Sequence, residues 1–587
     1  MSRNDRSVSS LSCAVIAMLI IVGLLTLIAK LREVQLYDTA DYAYANERQS
    51  IRRVQTEGVR GRILDRNGKA LAENRASVSI VCDAAHFQRR TWSATAMTIF
   101  EAINKAEKII GRPSAVTLKM IERHLNQSLA MPLTIWRDVD FETLARFSEH
   151  EAELDGFSCE ETVERHYPFG ALASHLIGYV GRDRGYAEAG DERYNFYQKE
   201  MRGRAGLEFY YDSFLRGVPG EKKVLVDARG FAMREWNVVA EQCGLDLKLT
   251  LDIDLQQIVE EQLKGCKGAC VVIDPRDGEV LAMASSPTFD PNRFVPVLST
   301  ELYNRYASDP DKPLLNRAVG GTYAPGSTFK PITAIAGMKT GHSTDIKYEC
   351  TGSFYLGEME LRCARRWGHG ELDLKGAIMR SCNPYFCNLG MEAGTNAIIS
   401  VARAFGLGRG TGIDFSVDAA GVVPDAQWKM RTYHEKWYSG DLAQMSIGQG
   451  MLLVTPLQMA RIAGALGTGK LVVPHLKEDI PVVEEKLPYP DWIFKAVREG
   501  MYMVVAGDGS ERGPAWRAGD VVEVTVAGKT GTAEIGRGAK RRKNTWFIAY
   551  APVEDPTVAL AVIIENGESG GSTAAPKAGA ILKEIFR

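Results

Sequence analysis

No charge of one sign dominates this chain. Its 71 lysines and arginines face 73 aspartates and glutamates among 587 residues, a net charge near −2. That balance gives no sign of a nucleic-acid partner, and a chain 45% hydrophobic and 25% charged has ordinary globular composition. A phosphate-binding loop is missing too: Gly464-Ala-Leu-Gly-Thr-Gly469 has neither the preceding strand nor the Lys-Ser/Thr ending. His434-Glu435 opens a metalloprotease helix pattern, but position 438 is Tyr, so the second histidine is absent. Nor is there a disulfide framework. Of ten cysteines, nine lie outside the apolar N-terminal run, an odd number without regular spacing. No internal repeat is found.

One long apolar run is present. Leu11 to Ala29 carries no charge, with Arg3 and Arg6 before it and Lys30 and Arg32 after it. At a rise of ~1.5 Å per residue it just spans a bilayer core. No small-x-small cleavage site or lipobox cysteine follows, so the run reads as an uncleaved signal anchor with residues 1–10 as a cytoplasmic tail.

The chemistry is carried by three short motifs in order: Ser327-Thr-Phe-Lys330, Ser381-Cys-Asn383 and Lys529-Thr-Gly-Thr532. A serine three residues before a lysine is expected by chance about once or twice in a chain this long, so alone it is weak. Residues i and i+3 share a helix face, so a helix starting near Gly326 brings Ser327 Oγ against Lys330 Nζ. Pro325-Gly326 breaks the incoming chain and leaves the serine at a helix N-terminus, which favours developing negative charge. A serine hydroxyl needs a base, and a lysine buried in an apolar helix such as 331–336 can serve once its pKa falls toward neutrality. Ser381-Cys-Asn383 has the weakest local signal, since Asn383-Pro384 alone reads as a turn or helix start. Between the other two motifs, Ser381 becomes a proton relay and Asn383 a ligand for a substrate amide.

Lys339-Thr-Gly341 also spells the third motif, but it closes the apolar helix and reads as a C-cap. Lys529 is placed differently. The alternating, β-branched stretch Val521 to Val526 predicts a strand running into Lys529, with a second strand at Thr545 to Tyr550 after a basic turn. A cation with Thr530 and Thr532 on a strand edge, and Gly531 between them, suits a peptide carboxylate whose backbone adds as a further strand. The basic tip Arg537 to Lys543 reads as a solvated hairpin turn, with contact to anionic wall polymer as a second reading.

The triple is the known motif set of penicillin-binding proteins and class A β-lactamases. The chain resembles a class B penicillin-binding protein, a monofunctional D,D-transpeptidase, and within that class the elongation type. Further support comes from Tyr323 to Pro331, Arg365-Arg-Trp-Gly-His-Gly370, Ser446-Ile-Gly-Gln-Gly450 and Thr455-Pro-Leu-Gln458. Arg60 to Gly68 and Arg165-His-Tyr-Pro-Phe-Gly170 match the family's non-catalytic domain. Ala324 stands where relatives often carry a second proline. The resemblance implies a transmembrane helix at 11–29, an α+β pedestal and dimerisation domain at 34–245, and a transpeptidase domain at 246–587. The last is an α/β serine-transpeptidase fold of the β-lactamase-like kind, its sheet wrapped around a helical core. Local readings agree with this. Asn67-Gly68 marks a hairpin turn whose arginines and Asp65 form structural ion pairs, and Leu247 to Asp254 a strand and turn opening the second domain. Arg276-Asp-Gly278 joins a hairpin from Ala269 and Val280, and one short C-terminal helix leaves no room for a further domain.

By the same resemblance, Ser327 attacks the penultimate D-Ala carbonyl of a donor stem peptide, with Lys330 as base. The backbone N–H groups of Ser327 and Thr532 form the oxyanion hole, and Lys529, Thr530 and Thr532 hold the terminal carboxylate. A neighbouring stem's amine resolves the acyl-enzyme, and β-lactams acylate the same serine. No cofactor is needed for this chemistry. The implied setting is the inner (cytoplasmic) membrane, single-pass, with the catalytic domain in the periplasm. The implied partners are a polytopic glycosyltransferase of the shape, elongation, division and sporulation family and other elongation-complex membrane proteins. Alternatives are a division- or sporulation-type transpeptidase, a D-Ala-D-Ala carboxypeptidase or β-lactam sensor, and a scaffold that activates the polymerase.

One cluster is independent of that chemistry. Cys350, Cys363, His369 and Cys382 offer three thiolates and an imidazole, which suit a closed tetrahedral structural Zn²⁺ site bracing the loop around Ser381. Buried free thiols, or a Cys350–Cys363 disulfide, are the alternatives. Cys387 is a substitute ligand about one helical turn past Cys382.

Overall fold

The computed structural model describes residues 10–37, 50–182, 196–197, 201–295, 298–415, 418–521, 523–536 and 542–587. Most of the N-terminal tail and residues 537–541 of the basic tip lie outside them. The apolar run forms the helix Ser10–Arg32, a little longer than the 11–29 span, and its apolar side chains are exposed along its length. Such a helix has no protein face to bury against and is long enough to cross a bilayer.

The pedestal is built on two sheets. In one, Gly220–Val226 pairs with Ala232–Val239 and with Ile51–Thr56, which also meets Phe196–Tyr197. In the other, the long strand Ala70–Cys82 runs antiparallel to Phe157–His166 and to the short strands Ile63–Leu64 and Leu133–Trp136. The Asn67-Gly68 hairpin is present. Asp65, however, forms no ion pair among the described residues. Its carboxylate closes the turn by accepting the N–H groups of Asn67 and Lys69 at 2.9 and 2.7 Å. Leu247–Lys248 is a strand, but it adds parallel to Ile63–Leu64 in the pedestal sheet, and a helix capped by Asp252 starts at Ile253 where a turn was expected.

A buried ion cluster ties the pedestal together. Glu208, 0% exposed, accepts Arg60 Nε at 2.6 Å and Arg165 Nε at 2.7 Å, and Arg60 also reaches Asp212 at 2.7 Å. Tyr167 donates its hydroxyl to Glu208 at 3.3 Å, while its backbone exchanges two hydrogen bonds with the side chain of Asn292 in the catalytic domain. Tyr211 donates to Asp414 at 2.8 Å across the same junction. The two domains are joined by oriented polar contacts as well as by chain.

The catalytic domain centres on a five-stranded antiparallel sheet in the order Val280–Ser286, Lys267–Ile273, Val558–Glu565, Arg542–Ala551, Ala527–Ile535. First and last strands of the domain are thus neighbours, and the strand with Lys529 lies at an edge. The inner strands are buried at nearly every position, as expected of a sheet covered on both faces. Pro456–Thr468 packs on the sheet, and Lys330–Lys339 is buried from Lys330 to Met338. Among the described residues of 521–526 the expected strand is not formed: the edge strand begins at Ala527, opposite Tyr550. Its partner ends at Ala551 before Pro552, which has no N–H for a further rung, and Thr525 spends its hydroxyl on Glu554 and Val553 N. Lys339 ends its helix and Gly341 follows with φ +101°, as the C-cap reading requires.

Removing Glu208 leaves two buried guanidinium groups without their main counter-charge. Glu208→Ala should destabilise the pedestal by about 3–5 kcal/mol, seen as protease cleavage of detergent-solubilised full-length protein at lower temperature. An unchanged cleavage profile would contradict this assignment.

Candidate active site

Ser327, the nucleophile the sequence implies, stands on a tight turn. Gly326–Phe329 forms a 3₁₀ turn that leads into the helix Lys330–Lys339, so the α-helix starts three residues after Ser327. Gly326 has φ +56°, and a Cβ there would lie 2.9 Å from the carbonyl oxygen of Thr532. Only glycine permits that approach. Gly531 answers from the other side, where a Cβ would meet Pro325 O at 2.8 Å and Thr328 Cγ2 at 2.9 Å. These two glycines let the edge strand lie against the nucleophile turn and bring Ser327 beside Thr532.

Lys330 does not hydrogen-bond Ser327 Oγ among the described residues. Its Nζ donates to the carbonyl oxygen of Ser381 at 2.6 Å, to Asn383 Oδ1 at 2.7 Å and, more weakly, to Ser381 Oγ at 3.3 Å. Ser381 sits in the left-handed region at φ +53°, between the helix Leu374–Met379 and the helix Asn383–Ala393, with Cys382 at the latter's N-cap. This strained geometry turns the Ser381 carbonyl and hydroxyl toward the same amine. From the edge strand, Lys529 Nζ donates to Ser381 Oγ at 2.9 Å and to Thr530 O at 3.0 Å. One hydroxyl therefore lies between two lysines that are both 0% exposed.

Burial has a chemical result. It pushes the Lys330 ammonium down to about 8, and Lys529 is pushed well below the usual lysine range by burial and by the neighbouring Lys330 charge. When Lys330 gives up its proton, the repulsion acting on Lys529 falls. Repulsion between the two therefore favours a pair in which one amine is neutral.

Three motifs thus meet as the sequence implied. Some supporting residues, Gln449 and Ala324, lie in runs the sequence singled out, but their pairings had no local signal. Gln449 Nε2 donates to Thr532 O at 3.3 Å, Gly570 N to Thr532 Oγ1 at 3.3 Å, and Trp546 Nε1 to Ala324 O at 3.0 Å. Arg380, just before Ser381, pairs with Asp508 at 2.7 Å and Glu511 at 3.3 Å.

Cys350, Cys363, His369 and Cys382 also converge, their ligand atoms all within 4.8 Å of one another. His369 Nδ1 lies 3.6 Å from Cys350 Sγ and 3.5 Å from Cys363 Sγ. Ligand separations in a tetrahedral zinc site with ordinary Zn–S and Zn–N bonds are about 3.5–3.8 Å, so the group fits that ion. The thiol of Cys382 hydrogen-bonds Cys363, driving Cys363 toward thiolate and holding Cys382 protonated when no ion is bound. All ten cysteines are free, so Cys350 and Cys363 are not bridged, and Cys387 turns away to Ala443 O.

Comparison with known proteins places this geometry. The family described as Penicillin binding protein transpeptidase domain matches residues 268–586, and Penicillin-binding Protein dimerisation domain matches 55–249. The chain is 32% identical to the peptidoglycan D,D-transpeptidase MrdA of Acinetobacter baumannii, over 95% of this chain and 84% of that one. Among solved structures it is similar to PBP2 of Helicobacter pylori in complex with MreC (TM-score 0.77, 27% identity, 91% of this chain and 98% of that one). It is also similar to a structure titled for the coordination of polymerization and crosslinking by a peptidoglycan synthase complex (TM-score 0.72, 28% identity, 98% of each chain).

If Lys330 must be neutral to act, acylation of Ser327 should climb with pH and level off above about 8. Second-order acylation rates between pH 5.5 and 9.5 check this; a rate that is flat through that range would contradict it.

Proposed function

Because this chain belongs to the class B penicillin-binding proteins of the elongation type, we propose that Ser327, Lys330, Ser381, Asn383 and Lys529 divide its reaction as their geometry suggests. The chain is a peptidoglycan D,D-transpeptidase, a serine acyltransferase that binds penicillin. Ser327 Oγ attacks the penultimate D-Ala carbonyl of a donor stem peptide as Lys330 takes its proton. The carbonyl oxygen becomes an oxyanion between the N–H groups of Ser327 and Thr532. When the C–N bond breaks, the leaving D-Ala amine receives a proton through the Ser381 hydroxyl. An amine from a second stem then attacks the ester, and Ser327 regains its proton as the cross-link forms.

The observation that carries this reading is the placement of Ser381 Oγ within 2.9 Å of Lys529 Nζ and 3.3 Å of Lys330 Nζ. It gives one path for a proton between base and leaving group. Lys529, Thr530 and Thr532, with Gly531 keeping the strand close, hold the donor's terminal carboxylate. Asn383 serves two neighbours, with Oδ1 on Lys330 and Nδ2 on Arg362 O at 2.7 Å.

The helix Ser10–Arg32 anchors the chain in the membrane by a single pass. The transpeptidase lies on the periplasmic side of the inner membrane, where the stem peptides are. The complexes named for its structural relatives support two kinds of partner. One is a glycosyltransferase of the shape, elongation, division and sporulation family, which supplies the glycan. The other is the set of elongation-complex membrane proteins that includes MreC. Structural Zn²⁺ held by Cys350, Cys363, His369 and Cys382 would fix Cys382 and with it both flanking catalytic residues. The ion would supply rigidity and no chemistry.

Fluorescent penicillin should label the Ser327 peptide of the wild type and leave Ser327→Ala unlabelled, by peptide mass mapping. Well-folded wild type that stays unlabelled would overturn the reading. Gently purified protein should carry about one zinc per chain by elemental analysis, and Cys363→Ser should lower it. Zinc-free protein would rule out the structural ion.

A further inference from the structure

The hydrogen bonds form one connected chain across the site. They pass from Lys529 on the edge strand to Ser381 Oγ at 2.9 Å, and Ser381 Oγ receives Lys330 at 3.3 Å. Lys330 then reaches Asn383 Oδ1 at 2.7 Å, and Asn383 Nδ2 reaches Arg362 O at 2.7 Å. The donor carboxylate belongs at the first end. At the last end stands the loop Cys363 to His369, whose residues 364–367 are all exposed.

That loop is fixed and yet presents an unburied indole. Cys363 N donates to Gly352 O at 2.8 Å, His369 N to Cys350 O at 3.0 Å, and Gly368 N to Arg365 O at 3.0 Å. Gly368 has φ +82°, and a Cβ there would lie 1.9 Å from Cys350 O. Arg365 lies 3.6 Å from Glu511, which also holds Arg380. On this frame Trp367 is 88% exposed, and Arg366 beside it forms no ion pair among the described residues. Leaving a tryptophan in water forgoes the burial that would help fold the chain, and the fixed backbone keeps it from collapsing onto its neighbours. A rigid aromatic with a free cation next to it is an arrangement prepared for a ligand.

We propose that Trp367 and Arg366 form the subsite for the acceptor strand, the second substrate, a glycan-borne stem peptide that brings the attacking amine. This rests on the transpeptidase reading of Ser327. The indole face packs on the C–H faces of the acceptor's sugar or aliphatic side chain, and Arg366 pairs with a stem carboxylate. The loop follows Arg362, whose carbonyl takes Asn383 Nδ2, so an acceptor held there approaches from the Lys330–Asn383 end and leaves the edge strand to the donor.

Full-length protein in detergent micelles tests this with a thioester mimic of the donor and a disaccharide stem peptide carrying a free side-chain amine. Acylation of Ser327 and the ratio of aminolysis to hydrolysis are read separately. Trp367→Ala and Arg366→Glu should acylate within about twofold of wild type, while the acceptor concentration for half-maximal transfer rises about tenfold. Arg366→Lys should restore most of the transfer. Equal losses in acylation and transfer would show a merely structural loop and overturn the proposal. Unchanged transfer in both variants would overturn it too, and would leave the indole as a protein-partner contact. Wild type that fails to acylate would instead bring down the transpeptidase reading beneath it.

Discussion

Two lysines buried from water against one serine hydroxyl set the terms for this enzyme. A fully buried ammonium loses most of its hydration, and a second one close by adds repulsion. The fold offers the carbonyl of a left-handed serine, the amide of Asn383 and the carbonyl of Thr530 in return, which is enough to keep both amines in place and too little to keep both charged at ordinary lysine values. That imbalance makes Lys330 usable as a base near neutral pH. Each nearby feature serves to hold it: the two glycines that bring the edge strand to the nucleophile turn, the helix start at Asn383, and the thiol cluster that fixes Cys382 between Ser381 and Asn383.

Much of this was legible in the sequence because the reacting residues come in short motifs. Ser327 and Lys330 are three positions apart, and Ser381, Asn383 and Lys529 each sit in a run with its own signal. The four candidate metal ligands were also found, since few residue types can serve that role. What could not be read was long-range. Lys330 looked like a partner for Ser327 by helix spacing, yet its hydrogen bonds go to residues more than fifty positions away. The support of Thr532 by Gln449, and of Ala324 by Trp546, depends on strand and turn packing that no local pattern encodes. The stretch 521–526 shows the reverse error. Its β-branched alternation fits a strand, but a ladder needs a partner, and Pro552 ends the partner first.

The pedestal obeys a different constraint. Beside its apolar core it buries a charged cluster, with Glu208 between Arg60 and Arg165, and such a cluster gives orientation more than stability. Through Tyr167 the same cluster reaches Asn292, and through Tyr211 a second contact reaches Asp414. These contacts give the pedestal an oriented, polar connection to the catalytic domain.

Everything in this site turns on Lys330 losing its proton near neutrality. Its side chain can be followed directly by carbon-13 chemical shift in lysine-labelled, detergent-solubilised protein, with the signal identified by its loss in Lys330→Arg. The titration midpoint should lie near 8. A midpoint at the ordinary lysine value of about 10.4 would contradict it and remove Lys330 as the base.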